Sequence, residues 1–278
     1  MLYRSVRAQM RVILKRRTAW IAFYIMFVLM VANYVVNLFL YRNYDLVELF
    51  HPAKILLLSY GSETGMGYFL MQIYPLLVIL PAGFSLASDY ESGESVFLHS
   101  RVGGMNYYMG KMIAAFLSAA IIFTVPLLLE IGMNFVTYPK EAVGDPSNWK
   151  VYGQSYIEAQ ERYFLSALAV RSPYLYAVVG TVIFGVASGI LNMFTVAVST
   201  IRVKFKVLLF LPVYLLLDLI SIVVRHIPGV TVSTYYGAYL RIFNWSWKSG
   251  AGYAGVLFLL TIFSAGMMYR KGKKDMIL

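Results

Sequence analysis

The chain has 278 residues, 60% of them hydrophobic and 13% charged, with a formal net charge of +11 and no Cys; its mean hydropathy is +0.67. Soluble domains carry about 25% charged residues, so the composition excludes a soluble globular protein and points to an all-α integral membrane protein. The basic residues flank apolar runs, which marks them as signals of membrane insertion and argues against nucleic acid as a partner, while the lack of Cys excludes disulfides and Cys-ligated metal.

The hydropathy pattern predicts one transmembrane domain over 1–278, built from six membrane-spanning helices. Residues 1–17 form a basic amphipathic segment. Arg4, Arg7, Arg11 and Lys15 share one face of a helical wheel and Leu2, Val6 and Ile13 the other. That pattern suits a helix lying in the membrane interface, its charges among lipid phosphates. The first span is residues 18–40, long enough to cross a ~30 Å core. Asn33 and Asn37 lie on one of its faces, as interhelix hydrogen-bonding groups or as the lining of a translocation path. Residues 41–65 are mixed and polar and are placed outside, with 46–60 as a short surface helix interrupted by Pro52.

The second span is residues 66–87, where Pro75 and Pro81 predict a kink or a broken turn because each removes a backbone donor. Residues 89–107 follow as a cytoplasmic loop, with an acidic start (Asp89, Glu91, Glu94), an apolar patch (Val96, Phe97, Leu98) and a break at Gly103 and Gly104. Acidic residues complement a helix N-terminus, so the patch is expected on a short helix outside the bilayer, where exposed apolar surface invites a protein partner.

The third span is residues 108–131, with Glu130 near its outer end, at headgroup level or as a site residue. Residues 132–172 form the longest polar segment, an external loop in which 151–170 can form an amphipathic helix. The fourth span, 173–200, carries the G-x-x-x-G pair Gly185 and Gly189, which permits close helix approach. It also carries a polar stripe of Ser188, Asn192, Thr195 and Ser199, which in lipid must face protein or a cavity. Arg202, Lys204 and Lys206 make a short basic loop. The fifth span, 207–224, contains Asp218, and a carboxylate inside a span is by default a candidate functional group. Residues 225–248 are aromatic-rich and half apolar, fitting a segment that dips back into the outer leaflet, with Trp245 and Trp247 at the interface. The sixth span is 250–269, closed by Arg270, Lys271, Lys273 and Lys274. Fifteen of the 24 Lys and Arg fall on the side of the two termini, which predicts a multi-pass cell-membrane protein with both termini cytoplasmic.

The stretch 104–112 fails the phosphate-loop pattern G-x-x-x-x-G-K-[ST], because Met105 and Met112 stand where Gly and Ser or Thr are needed. H-E-x-x-H and G-x-S-x-G are both absent from the sequence. An ATP-driven function would therefore need its ATPase in another polypeptide.

The order of Glu91, Gly93 and Ser95, then Leu98 and Ser100, then Gly110 and Lys111, set between two apolar runs, resembles the first cytoplasmic loop of the ATP-binding-cassette type-two (ABC-2) transporter permeases. Arg101 and Gly104 depart from the commoner Pro and Arg at their places in that loop. The resemblance implies six spans, an interfacial connecting helix, a cytoplasmic coupling helix and external or re-entrant helices. It implies an exporter of an apolar or amphipathic substrate such as a drug, peptide or lipid-like molecule. The expected partners are two copies of an ABC ATPase subunit, which would carry the ATP and Mg, and a second permease chain, identical or homologous; no cofactor is expected in this chain. Asp89, Glu91, Gly93, Glu94, Val96, Phe97, Leu98 and Arg101 are then the ATPase-coupling residues. Asn33, Asn37, Ser188, Asn192, Thr195 and Asp218 are the candidates for a translocation path. The alternatives are an ion-coupled secondary transporter or membrane enzyme using Asp218 and Glu130, and a regulatory membrane subunit with no path of its own.

Overall fold

A computed structural model of the chain describes residues 2–42, 51–59, 64–140, 163–201, 205–225, 236–243 and 250–275. The described residues are helical apart from short connections and one isolated parallel bridge, Ser59 to Ile242. The helices are α1 (Leu2–Lys15), α2 (Arg17–Leu40), α3 (Met66–Leu77), α4 (Ser85–Glu91), α5 (Glu94–Val102), α6 (Gly104–Thr137), α7 (Ser166–Arg171), α8 (Pro173–Val198), α9 (Phe210–Arg225), α10 (Gly237–Leu240) and α11 (Gly250–Lys274). Four of them, α2, α6, α8 and the Gly252–Lys274 part of α11, are long and apolar enough to cross a membrane.

α6 is the axis of the bundle. Its 34 residues reach about 51 Å at 1.5 Å per residue, well beyond a ~30 Å apolar core. Helices α8, α1, α11 and α2 pack along it. Burying apolar surface does little to join helices already in lipid, so close van der Waals packing must do so. The closest seam is α6 with α8: a Cβ on Gly189 would sit 2.6 Å from the Phe116 ring and 2.8 Å from its carbonyl, and one on Gly185 would collide with Thr124. Beside this seam Tyr74, Phe123, Phe184 and Tyr236 meet as one buried aromatic cluster, Tyr236 stacked on Tyr74 and Phe123 edge-on to Tyr74 and Phe184.

The expected second span is broken. α3 has 12 residues, about 18 Å, and irregular turns separate it from α4. Pro81 lacks the N–H that would continue the helix, and the Asn192 amide donates to the Val78 carbonyl within the break, at 2.9 Å. α9 has 16 residues, about 24 Å.

Residues 51–59 overturn their expected place on the outer surface. A single 3-10 turn, Pro52–Ile55, leads into backbone running through the interior, and Ala53, Leu56, Leu57 and Leu58 are all buried. Residues 46–50 and 60 of the expected surface helix lie outside the described residues. Residues 236–243 are buried as well. They run beside 51–59, with the Ile242 N–H donating to the Leu58 carbonyl at 2.9 Å and the Tyr236 hydroxyl to the Met71 carbonyl at 2.6 Å. The rest of the expected re-entrant stretch, including Trp245 and Trp247, lies outside the described residues, as do residues 141–162 of the external loop and 202–204 of the basic loop.

Candidate functional site

Helices α1, α4 and α5, the start of α6 and the end of α11 converge at one end of the bundle. The inward face of α1 shares Ile13 with the expected apolar face but also takes in Ser5 and Gln9. Ser5, Gln9 and Ile13 are buried, while Arg4, Arg7, Arg11 and Val12 are exposed. Its Ser5 lies against Gly110 of α6, where a Cβ would meet the Ser5 side chain. A hydrogen bond from the Tyr108 hydroxyl to Asp275 ties the end of α11 to this assembly, and Tyr108 also shares one with the Tyr90 hydroxyl at 2.9 Å.

Asp89 is the centre of this end. Its side chain is 2% exposed and takes three donors: Arg16 at 2.9 Å, the Tyr107 hydroxyl at 2.6 Å and the Lys111 ammonium, which is itself fully buried. Charges taken out of water are costly unless paired and hydrogen-bonded, and these two cations and the phenol supply that compensation. Asp89 ends the broken second span, Arg16 is the hinge between α1 and α2, and Lys111 and Tyr107 open α6. One carboxylate thus joins three elements.

α5 hangs from this centre between two glycines with positive φ, Gly93 at 70° and Gly103 at 81°. L side chains rarely adopt that backbone, so these positions set the reversals from α4 into α5 and from α5 into α6. Residues 94–102 form the short helix expected there, with Glu94 in its first turn. Phe97 is 71% exposed. Arg101 and Glu94 are exposed, Leu98 is half-buried against the core, and the side chain of Val96 lies outside the described residues. Glu91 makes an open ion pair with Lys206, from the connection between α8 and α9; exposed pairs contribute about 0–1 kcal/mol and exchange readily.

The coupling candidates therefore divide. Asp89 is internal, Glu91 is held loosely, and Glu94, Phe97 and Arg101 face outward. Charge alternation gave no sign that Asp89 would be internal. The available signal was position: Asp89 follows one apolar run by two residues and Lys111 lies just inside the next, where a charge needs a partner.

The path candidates are also together, but inside protein. Asn33, Asn37, Ser188, Asn192 and Thr195 are all buried. The Asn33 and Asn37 amides both donate to the Ile55 carbonyl, at 3.0 and 2.9 Å, and Asn33 also donates to Glu130 at 2.6 Å. Glu130 is 1% exposed, which places it inside the bundle. The same carboxylate oxygen accepts the Leu57 N–H at 2.9 Å, and the Thr64 hydroxyl donates to Asn33 at 2.6 Å. These polar groups hold residues 52–58 in the interior and supply the partners that buried backbone needs. On the α8 stripe, Tyr74 and Ser188 share a hydrogen bond at 3.0 Å, while Thr195 bonds back to the Leu191 carbonyl of its own helix. Asp218 is half-buried on α9 and belongs to neither carboxylate cluster.

At the opposite end His51 packs edge-on to Tyr174. Its Nδ1 accepts from the Ala53 N–H, so Nε2 carries the proton and donates to the Lys140 carbonyl, both at 3.0 Å. Burial, chiefly, pushes the imidazole below its ordinary range; the Lys140 carbonyl opposes this and the Lys54 charge adds to it. The folded state thus binds this proton less readily than the unfolded chain. His51 contributes stability above about pH 6.5, the unfolded value, and that stability is lost as pH falls through the depressed folded value. The apparent melting midpoint in detergent is expected to drop between pH 7.5 and pH 5, and the drop to shrink in His51→Gln. An equal drop in both proteins would remove His51 from the effect.

No protein-family model, no curated protein and no solved structure matches the chain. Among the described residues no group of three or more His, Asp or Glu is placed to hold a metal ion.

Proposed function

We propose that this chain is the membrane-spanning subunit of an ATP-driven exporter of the ABC-2 permease kind, working with two copies of a separate ATPase that brings the ATP and Mg and with a second permease chain. On this reading the broken α3–α4 pair and α9 complete six spans, both termini are cytoplasmic, and the cargo is apolar or amphipathic. The observation that carries the reading is α5. It is a nine-residue helix that presents Phe97 and Glu94 outward while its root, through Asp89, is fixed to both α2 and α6. A push on such a helix moves two long helices together. The basic residues at this end, from α1, α6 and α11, agree with a cytoplasmic placement.

The test uses the chain tagged in its own cells. Wild type is expected to co-purify with an ABC ATPase, and Glu91→Lys with Phe97→Ala to lower that yield about ten-fold while membrane insertion stays intact; removing a central aromatic anchor typically costs 2 kcal/mol or more. An unchanged yield would sink the docking site, and wild type that carries no ATPase would sink the function. The ion-coupled alternative has less behind it, because Glu130 is engaged in holding residues 52–58. Transport that persisted with the ATPase inactivated and followed a proton gradient would restore it.

A further inference from the structure

A groove of about 520 Å³ opens between α1 and α5. Its volume falls within the range of small-molecule sites, about 300–1,000 Å³. Ala8 and Val12 of α1 and Phe97 and Leu98 of α5 supply its apolar lining, and Arg4 and Arg101 bring one guanidinium from each helix. Val12 is 47% exposed and Phe97 71%, so the apolar surface is open. Neither Arg4 nor Arg101 makes an ion pair with a described residue. Asp89 reaches the groove, but its charge is met internally by Arg16 and Lys111; the other carboxylate among the described lining residues is Glu94, which is exposed and also feels the Lys111 charge. The walls are thus apolar with a net positive charge, and one wall is an amphipathic basic helix of the kind that lies in a membrane interface.

From this arrangement we infer that the α1–α5 groove is a binding site for an anionic phospholipid of the adjoining leaflet, its phosphate held between Arg4 and Arg101 and the start of its acyl chain laid on Val12 and Leu98. Guanidinium groups bind phosphate through paired N–H donors, and an apolar floor beside them selects a phosphate that carries a chain over a free one. Arg7 and Arg11 are also on α1 and exposed but do not line the groove, so they report diffuse attraction of the helix to a charged surface. The site is argued from the groove alone and stands apart from the transporter reading.

The test is native mass spectrometry of the full chain purified in detergent, titrated with phosphatidylglycerol, phosphatidylcholine or sn-glycerol 3-phosphate. Wild type is expected to retain phosphatidylglycerol in preference to the other two. Arg4→Ala with Arg101→Ala is expected to weaken retention about ten-fold or more, since each basic group near a lipid surface is worth about a factor of five; Arg7→Ala with Arg11→Ala should change it less than two- to three-fold. Val12→Trp keeps both guanidiniums and fills the floor, and is also expected to lower retention, so the inference can be tested even if the double variant does not fold. Equal losses from the two arginine pairs, or equal retention of phosphatidylcholine, would overturn it. So would binding of glycerol phosphate as strong as that of the lipid.

Discussion

Asp89→Ala is expected to be among the most damaging single substitutions in this chain. It leaves the fully buried Lys111 ammonium without its counter-charge and removes the acceptor of the Tyr107 hydroxyl. Breaking a buried pair by deleting one partner costs about 3–5 kcal/mol, whereas replacing both partners by apolar groups of similar size is often neutral. Asp89→Leu combined with Lys111→Met should therefore melt above Asp89→Ala, even though it removes more polar atoms. Arg16 is 23% exposed and can turn to solvent once its partner is gone. The measurement is the apparent melting midpoint in detergent for the two variants and wild type. A single variant that melts like wild type, or a double variant lower than the single, would mean that the cluster does not stabilise the junction of α1, α4 and α6.

The second large effect is expected at Glu130. Glu130→Leu removes the acceptor of the Leu57 N–H and of the Asn33 amide together. Each buried donor left unsatisfied costs about 1–3 kcal/mol, so about 2–6 kcal/mol falls on one short segment. The expected result is local: residues 52–58 leave the interior while the long helices remain. The chain has no Cys, which makes the readout direct. With Ala53→Cys as the only thiol, a maleimide should react slowly in the otherwise wild-type protein, where Ala53 is fully buried, and quickly when Glu130→Leu is added. Glu130→Gln keeps a carbonyl acceptor and should stay near the slow rate. A slow rate in all three proteins would show that Glu130 does not hold the segment.

The contrast between these two carboxylates explains how much the sequence made legible. α2, α6, α8 and α11 follow from apolar length alone, and the break after α3 follows from Pro81, because both depend on local chemistry. The Gly185 and Gly189 pair marked the face of α8 that meets α6, since only small residues let two backbones come so close. The interior course of residues 51–59 was not legible. Taken alone, a stretch with His51, Pro52 and Lys54 reads as polar loop; what brings it inside are Asn33, Asn37, Glu130 and Arg241, from distant parts of the chain. Asp89 was misplaced for the same reason. It stands in a run of acidic residues that resembles a solvated helix start, and its partners Arg16 and Lys111 lie 73 and 22 residues away.

The meeting of residues 51–59 with 236–243 also bears on how the protein is made. Arg241 donates to the Ser59 carbonyl across a separation of 182 residues. At synthesis rates of about 5–20 residues per second, the ribosome needs roughly 10–40 s to deliver the second strip after the first has emerged. Throughout that interval a buried, non-helical stretch of the first half waits for its neighbour, and the nascent chain is an incomplete bundle with an open seam. Insertion factors that shelter polar backbone would act on this protein in that interval, and truncation before residue 236 would leave a product for quality-control proteases to clear.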